Sequence, residues 1–135
     1  MAIKQLTVFV ENKCGRLVEI TEMLASGGID MRALSIADTK DFGILRLIVS
    51  DTEKALTILR DNGLLVQITE VVGVKIPDRP GELSHALKAL NAEGINLEYL
   101  YAFLAADPGS ADVVLRVADN AVAEKVLSDA GFTTI

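Results

Sequence analysis

The sequence contains few of the residues on which most catalytic and metal sites depend. Among its 135 residues there is one cysteine, Cys14, and one histidine, His85. A single cysteine excludes an internal disulfide and a multi-cysteine metal site, and a single histidine excludes a site built from several imidazoles. Ser84 cannot pair with its neighbour His85 on a helix, because adjacent residues point about 100° apart. We therefore expect a non-catalytic protein without metal or cofactor.

Aromatic residues, long apolar runs and positive charge are also scarce. There are four phenylalanines, two tyrosines and no tryptophan, and 13 basic residues against 19 acidic ones give a net charge of −6. An acidic chain repels phosphate backbones, which disfavours nucleic-acid binding. No apolar run is long enough to span a membrane, and the N-terminus lacks the pattern of a signal peptide. We expect a cytoplasmic protein that binds neither nucleic acid nor membrane.

Half of the residues are apolar, and they follow one pattern that occurs twice. The segment Glu11-Asn-Lys-Cys-Gly-Arg-Leu17 is matched 66 positions later by Pro77-Asp-Arg-Pro-Gly-Glu-Leu83. Further landmarks recur in the same order, and the interval grows to 68 after a longer loop in the second copy: Leu24 and Leu90, Gly28 and Gly94, Asp51 and Asp119, Leu59 and Leu127, and Gly63 and Gly131. An internal repeat of this kind predicts two domains, residues 1–70 and 71–135.

Each copy predicts the order strand, helix, strand, strand, helix, strand. Residues 3–10 place Leu6, Val8 and Val10 on one face, the period-two pattern of a half-buried strand, and residues 15–26 have apolar positions at helical spacing. Asp51 suits the N-cap of a second helix over residues 52–62, and Asp119 suits the N-cap of its counterpart in the second copy. Two βαββαβ units indicate an α+β protein with two ferredoxin-like sandwiches, each with its helices on one face of an antiparallel sheet. No linker separates them, so we expect the two units to dock tightly.

The segment Asp78–Leu83 joins a predicted strand to a predicted helix and has the chemistry to hold a ligand. Gly81 lets a ligand approach the backbone, and the N-terminus of the following helix favours a carboxylate. Asp78, or Asn12 at the equivalent place, offers oxygen to an ammonium group. Together these features suit a free α-amino acid. The alternative is that Pro80 and Gly81 form only a strand-to-helix corner and that Asp78 is a helix cap.

Residues 74–101, VKIPDRPGELSHALKALNAEGINLEYLY, resemble an ACT domain. The pattern of that family is a strand, then D/N-x-P-G-x-L, an amphipathic helix, and G-I/V-N-I/L at the start of the next strand. The first copy matches it again at residues 11–17 and 28–31, so the resemblance covers nearly the whole chain. It implies the βαββαβ fold and a regulatory role in amino-acid metabolism. It also implies domains paired side by side into one extended antiparallel sheet, with an amino acid bound where two repeats meet.

The resemblance places ligand contacts in the loop after the first strand of one repeat and at the start of the second strand of a neighbour. Carried onto this sequence, these are Asn12, Cys14, Gly15, Leu17 and Asp30 in the first copy, and Asp78, Arg79, Pro80, Gly81, Leu83 and Asn96 in the second. Cys14 stands where proline is usual, which predicts a looser first loop. Asp30 stands where asparagine is usual and adds negative charge. The second loop is therefore the preferred candidate.

These observations lead to one functional hypothesis and two alternatives. We expect a non-catalytic amino-acid sensor that forms a homodimer and regulates a separate enzyme of amino-acid metabolism. One alternative is a structural interaction module that pairs through sheet edges and has no small ligand. The other is an enzyme such as a mutase or isomerase, for which the sequence offers no acid–base constellation.

Tyr99, Tyr101 and Phe103 share one strand face, as aromatic residues do on RNA-binding sheets, but their acidic surroundings favour simple packing.

Overall fold

A computed structural model describes residues 3–38 and 41–135 of the chain. Within those residues the elements follow in the order β1 (Ile3–Glu11), α1 (Arg16–Ser26), β2 (Met31–Asp38), β3 (Phe42–Val49), α2 (Thr52–Asp61), β4 (Leu65–Pro77), α3 (Glu82–Ala92), β5 (Tyr99–Ala102), β6 (Ser110–Arg116), α4 (Asn120–Asp129) and β7 (Thr133–Thr134). The sequence also predicts a turn at Thr39 and Lys40, which lie outside the described residues. None of the described helices is long and apolar enough to cross a membrane.

Lys4–Thr69 form one compact unit. Its strands are neighbours in the order β2, β3, β1, β4, and β3 pairs antiparallel with both β1 and β2. The alternation predicted for β1 is confirmed, because Leu6, Val8 and Val10 are buried and their neighbours Thr7 and Phe9 are not. The core of this unit is completed by apolar side chains of the two helices: Ile20 and Leu24 of α1, and Ala55 and Leu59 of α2.

Glu70–Ile135 form the second unit, to which Ile3 also belongs. Its strands are neighbours in the order β7, β4, β6, β5, and all of the described pairings are antiparallel. Counted within each repeat, both units therefore have the strand order 4-1-3-2, and the predicted pair of ferredoxin-like βαββαβ units is confirmed. The core lies between this sheet and the helices α3 and α4, and it includes Val72, Val74, Leu90, Leu115 and Leu127.

Two boundaries differ from the sequence prediction for one physical reason. The residue pattern predicts the second strand of each copy over residues 29–38 and 95–104, but β2 starts at Met31 and β5 at Tyr99. The N–H of Ile29 donates to the carbonyl of Leu24, and the N–H of Ile95 donates to the carbonyl of Leu90. These bonds close the C-terminal ends of α1 and α3. Each N–H is used by a helix end and is not available to a strand.

The second helix of each unit has an aspartate N-cap, as predicted. Asp51 accepts a hydrogen bond from the N–H of Lys54 at 3.1 Å, and Asp119 accepts one from the N–H of Val122 at 3.2 Å.

We expect Asp51→Ala and Asp119→Ala each to lower the free energy of unfolding by about 1 kcal/mol, because a backbone N–H loses its acceptor. Urea denaturation measures the loss. Asp→Asn at either position keeps an acceptor oxygen and should retain most of the stability. An alanine variant with an unchanged midpoint and slope would show that the cap contributes nothing.

Candidate functional site

The two repeated strand-to-helix loops have the same backbone hydrogen bonds. The N–H of Asn12 donates to the carbonyl of Asp41 at 3.0 Å, and the N–H of Asp78 donates to the carbonyl of Gly109 at 2.9 Å. The next residue of each loop donates its N–H to the carbonyl two residues before it at 2.9 Å, Lys13 to Glu11 and Arg79 to Pro77. The loops thus fold alike although the first carries Cys14 where the second carries Pro80. What proline adds is a restriction of the unfolded chain.

Each loop ends in a glycine that forms the N-cap of the following helix. Gly15 has φ 87° and ψ −12°, and Gly81 has φ 87° and ψ −11°, which is the left-handed region. A Cβ atom built on either glycine would meet nothing within 4 Å. Glycine is therefore required for the backbone angle and not by crowding. The space around both of these Cβ positions is therefore open.

The helices that follow these loops lack the caps of the other two. No side chain caps α1 or α3, whereas aspartates cap α2 and α4. The hypothesis that Asp78 caps α3 is therefore wrong, because the N-cap residue is Gly81 and the Asp78 side chain makes no capping bond. The first N–H of each helix, on Arg16 and on Glu82, donates to a carbonyl of its own loop at 3.3 Å, and no side chain caps the remaining first-turn N–H groups. All of them lie at the positive end of the helix dipole.

The charged groups of the two loops differ. In the first loop the Glu11 carboxylate lies 2.7 Å from Lys13 Nζ and 3.6 Å from an Arg16 guanidinium nitrogen, and Arg16 also pairs with Glu19 at 3.1 Å. The hydrogen bond from Lys13, together with both positive charges, lowers the pKa of Glu11. The second loop has a single described pair, Arg79 with Glu82 at 3.2 Å. The backbones match, but the electrostatic surroundings do not.

Leu17 and Leu83 lie in the first turns of α1 and α3. The sequence pattern makes each of them part of an inward apolar stripe, but they are 39% and 37% exposed. The buried residues of the same stripes begin one turn later, at Ile20 and Ala86. Both leucines are therefore available beside the glycine of their loop. This exposure suits the ligand contact that the family resemblance implies.

Asp30 and Asn96 lie at the opposite end of their units from the loops. Asn12 bonds to the residue before β3, whereas the N–H of Asp30 donates to Ser50 Oγ, just after β3 ends. At about 3.3 Å per residue, the strand between them spans roughly 25 Å. In the second unit β6 separates Asp78 from Asn96 in the same way. One unit therefore does not bring its loop and its second-strand start together.

Asn96 lines a pocket of about 540 Å³ in the second unit, together with Ile95, Glu98, Asp119 and Val122. Both carboxylates already have partners. Asp119 caps α4, and Glu98 lies 3.7 Å from the Arg116 guanidinium. The equivalent Asp30 is exposed and pairs with Arg32 at 3.0 Å. The second-strand starts thus carry amide and carboxylate oxygen, and the carboxylates among them are already paired.

The remaining aromatic candidates have structural partners. The ring of His85 meets the ring of Phe132 edge-on at 5.4 Å, and the rings of Tyr99 and Tyr101 are stacked at 6.4 Å. Cys14 is exposed. Among the described residues, no group of three or more histidine, cysteine or carboxylate side chains could hold a metal ion. No pattern in the sequence predicts the pocket beside the first loop that Phe9, Phe42 and Leu65 line.

Together, the fold and the repeated loop define a tandem pair of ferredoxin-like α+β units. Residues 1–132 match the family described as ACT domain pair, and the chain belongs to that family. No curated protein matched the chain.

Solved structures show the same architecture. A protein from Bacteroides thetaiotaomicron is 46% identical, with a TM-score of 0.93 over 100% of this chain and 92% of its own. The ligand-free regulatory subunit of aspartate kinase from Thermus thermophilus is 16% identical, with a TM-score of 0.72 over 95% and 92% of the two chains. The corresponding subunit from Thermus flavus is 16% identical, with a TM-score of 0.65 over 94% and 91%. The last two likenesses concern the fold alone.

Proposed function

We propose that this protein is a non-catalytic regulatory protein whose ACT repeats bind a free amino acid. The observation that carries the proposal is the contrast between the helices. The two that follow the repeated loops are entered through a left-handed glycine and have no side-chain cap, whereas the other two are capped by aspartate. Uncapped first-turn N–H groups suit an α-carboxylate, and the Asp78 carboxylate suits the ammonium group.

The ligand lies where two repeats meet, in one chain or in two chains of a homodimer. The loop and the second-strand start of one unit are separated by the length of a strand, so a ligand that touches both must draw on two units. Gly81 and Leu83 would then lie beside the carboxylate of the ligand, and Asp78 would accept from its ammonium group. Asp30 or Asn96 of the neighbouring repeat would face the ammonium group.

Regulation would act on a separate enzyme of amino-acid metabolism in the cytoplasm. The Thermus structures of this fold are described as regulatory subunits of aspartate kinase, which supports such a role. The ligand would favour one arrangement of the repeats over another, with a coupling free energy of roughly 1–3 kcal/mol.

Thermal melting against each of the twenty amino acids tests the proposal. A ligand at about one hundred times its dissociation constant adds roughly 2.7 kcal/mol to the free energy of unfolding. For a chain of this size we expect a rise in Tm of about 10 °C. A Tm that no amino acid raises would contradict the sensor and favour the interaction module.

For the amino acid that raises the Tm, Asp78→Ala should abolish the rise because the ammonium group loses its acceptor. Asp129→Ala is the matched control, since it removes a carboxylate that pairs with Lys125 on the surface of α4. The control should keep the full rise. If Asp78→Ala also keeps it, Asp78 is not part of the site.

A further inference from the structure

A pocket of about 310 Å³ lies within the unit formed by Lys4–Thr69, beside the first strand-to-helix loop. Its apolar wall consists of Phe9, Phe42 and Leu65, and two charged residues, Glu11 and Arg16, also line it. Its volume is at the lower end of the range for small-molecule sites. All of these residues belong to one repeat.

All three side chains of the apolar wall are exposed. Phe9 is 37% exposed, Phe42 59% and Leu65 64%. Phe9 alternates along β1 with the buried Val8 and Val10, so it lies on the sheet face away from the core. These three side chains add nothing to the described core cluster of this unit. Large apolar side chains gathered at one concave surface mark a binding site.

The second repeat shows that the fold does not require this wall. Glu11 pairs with Phe42 in the first sheet, and at the equivalent place Pro77 pairs with Ser110 in the second. By the same correspondence Lys75 replaces Phe9 and Thr133 replaces Leu65. In the second repeat, polar side chains therefore occupy the equivalent positions of the same fold. The apolar residues of the first repeat need a reason other than folding.

The charged side of the pocket carries one group of each sign. The Glu11 carboxylate and the Arg16 guanidinium are 3.6 Å apart, and both side chains are partly exposed. An amino-acid zwitterion has its ammonium and carboxylate groups at a similar separation. Laid over this pair, it would place the ammonium beside Glu11 and the carboxylate beside Arg16, where charge-assisted hydrogen bonds can form in exchange for the exposed pairs that Glu11 makes with Lys13 and Arg16 makes with Glu19.

We propose that this pocket is a second binding site, specific for a free amino acid with an aromatic or large aliphatic side chain. The ligand side chain packs against Phe9, Phe42 and Leu65, and its zwitterionic head lies over Glu11 and Arg16. The inference rests on the proposed amino-acid binding. This site differs from the site proposed above, because it needs the residues of one repeat only. Offset or edge-on stacking against the two phenylalanines favours an aromatic ligand.

Isothermal titration of the full chain with L-phenylalanine, L-leucine and glycine tests the class of ligand. We expect phenylalanine to bind most tightly and glycine not to bind at this site. Phenethylamine and 3-phenylpropionate, which each lack one charge of the head, should bind at least tenfold more weakly than phenylalanine.

Phe42→Ser and Leu65→Thr test the position, since each introduces the residue that the second repeat has at the equivalent place. Either change should weaken phenylalanine binding at least tenfold. Ile36→Ser is the matched control, because Ile36 is an exposed apolar residue of β2 that does not line the pocket. It should leave the affinity unchanged, and thermal melts verify that all three variants fold.

The outcomes separate this inference from the proposed function. Phenylalanine binding that is lost in Phe42→Ser and kept in Asp78→Ala supports the second site. Binding that is lost only in Asp78→Ala, or a chain that binds another amino acid but not phenylalanine, overturns it and leaves the proposed function standing. A chain that binds no amino acid overturns both. If the chain binds no amino acid and Phe42→Ser changes its oligomeric state, the pocket is an interface between copies of the chain.

Discussion

Leu24→Ala and Leu90→Ala are each expected to lower the free energy of unfolding by about 2–5 kcal/mol. The two leucines are equivalent residues of α1 and α3, and both are fully buried in the cores of their units. Truncation removes buried methyl groups and leaves a cavity that a close-packed core fills only in part. A loss of 3 kcal/mol should lower the Tm by roughly 10 °C in a chain of this length.

Urea and thermal denaturation, followed by circular dichroism, measure the loss. Val18→Ala is the control, because Val18 is 58% exposed on α1 and its truncation should change the stability by less than about 0.5 kcal/mol. The strand β4 supplies residues to both units. We therefore expect one common transition that either leucine variant shifts. Two transitions, with only one of them moved by each variant, would show that the units unfold independently.

Gly81→Val is expected to cost about 2 kcal/mol of stability. The residue has a φ of 87°, a left-handed angle that costs an ordinary L-residue roughly 1–2 kcal/mol and is least tolerated by β-branched side chains. Since an added Cβ would meet no atom within 4 Å, the cost comes from the backbone and not from a clash. Gly15→Val should cost the same amount, because its backbone angles are the same.

Chemical denaturation of the valine variants and of Gly81→Asn tests this origin of the cost. Asparagine adopts the left-handed region more readily than other non-glycine residues, so it should recover a large part of the loss. If asparagine and valine are equally destabilising, the side chain meets an obstacle and the backbone explanation is wrong. Amino-acid binding should be measured on the same variants, since either side chain would enter the space above α3.

Local patterns predicted the elements well because their causes are local. The period-two alternation of Leu6, Val8 and Val10 depends only on the pleat of one strand. The caps at Asp51 and Asp119 depend on a side chain that accepts a hydrogen bond from the N–H three residues later. The repeat adds a second instance of each signal, so the fold of both units follows from the sequence.

The positions of candidate site residues were less predictable. The family resemblance assigns Asn12 to the loop of one repeat and Asp30 to the second-strand start of a neighbour, and strand pairing within one unit puts these two residues at opposite ends of β3. Leu17 continues an apolar stripe, yet it lies in a helical turn ahead of the buried part of the stripe. Both results depend on where a helix or strand ends relative to the elements that pack against it. The sequence of one helix or strand alone does not contain that information.

The sequence by itself determined that the chain is a tandem repeat of βαββαβ units and that each repeat has a glycine at its strand-to-helix loop. It did so because hydrophobic periodicity, helix caps and glycine angles act over a few residues. Only the tertiary structure decided that the helices after those loops lack side-chain caps and that Phe9, Phe42 and Leu65 surround one pocket. Those facts arise from residues far apart in the chain, which antiparallel pairing and helix packing bring together.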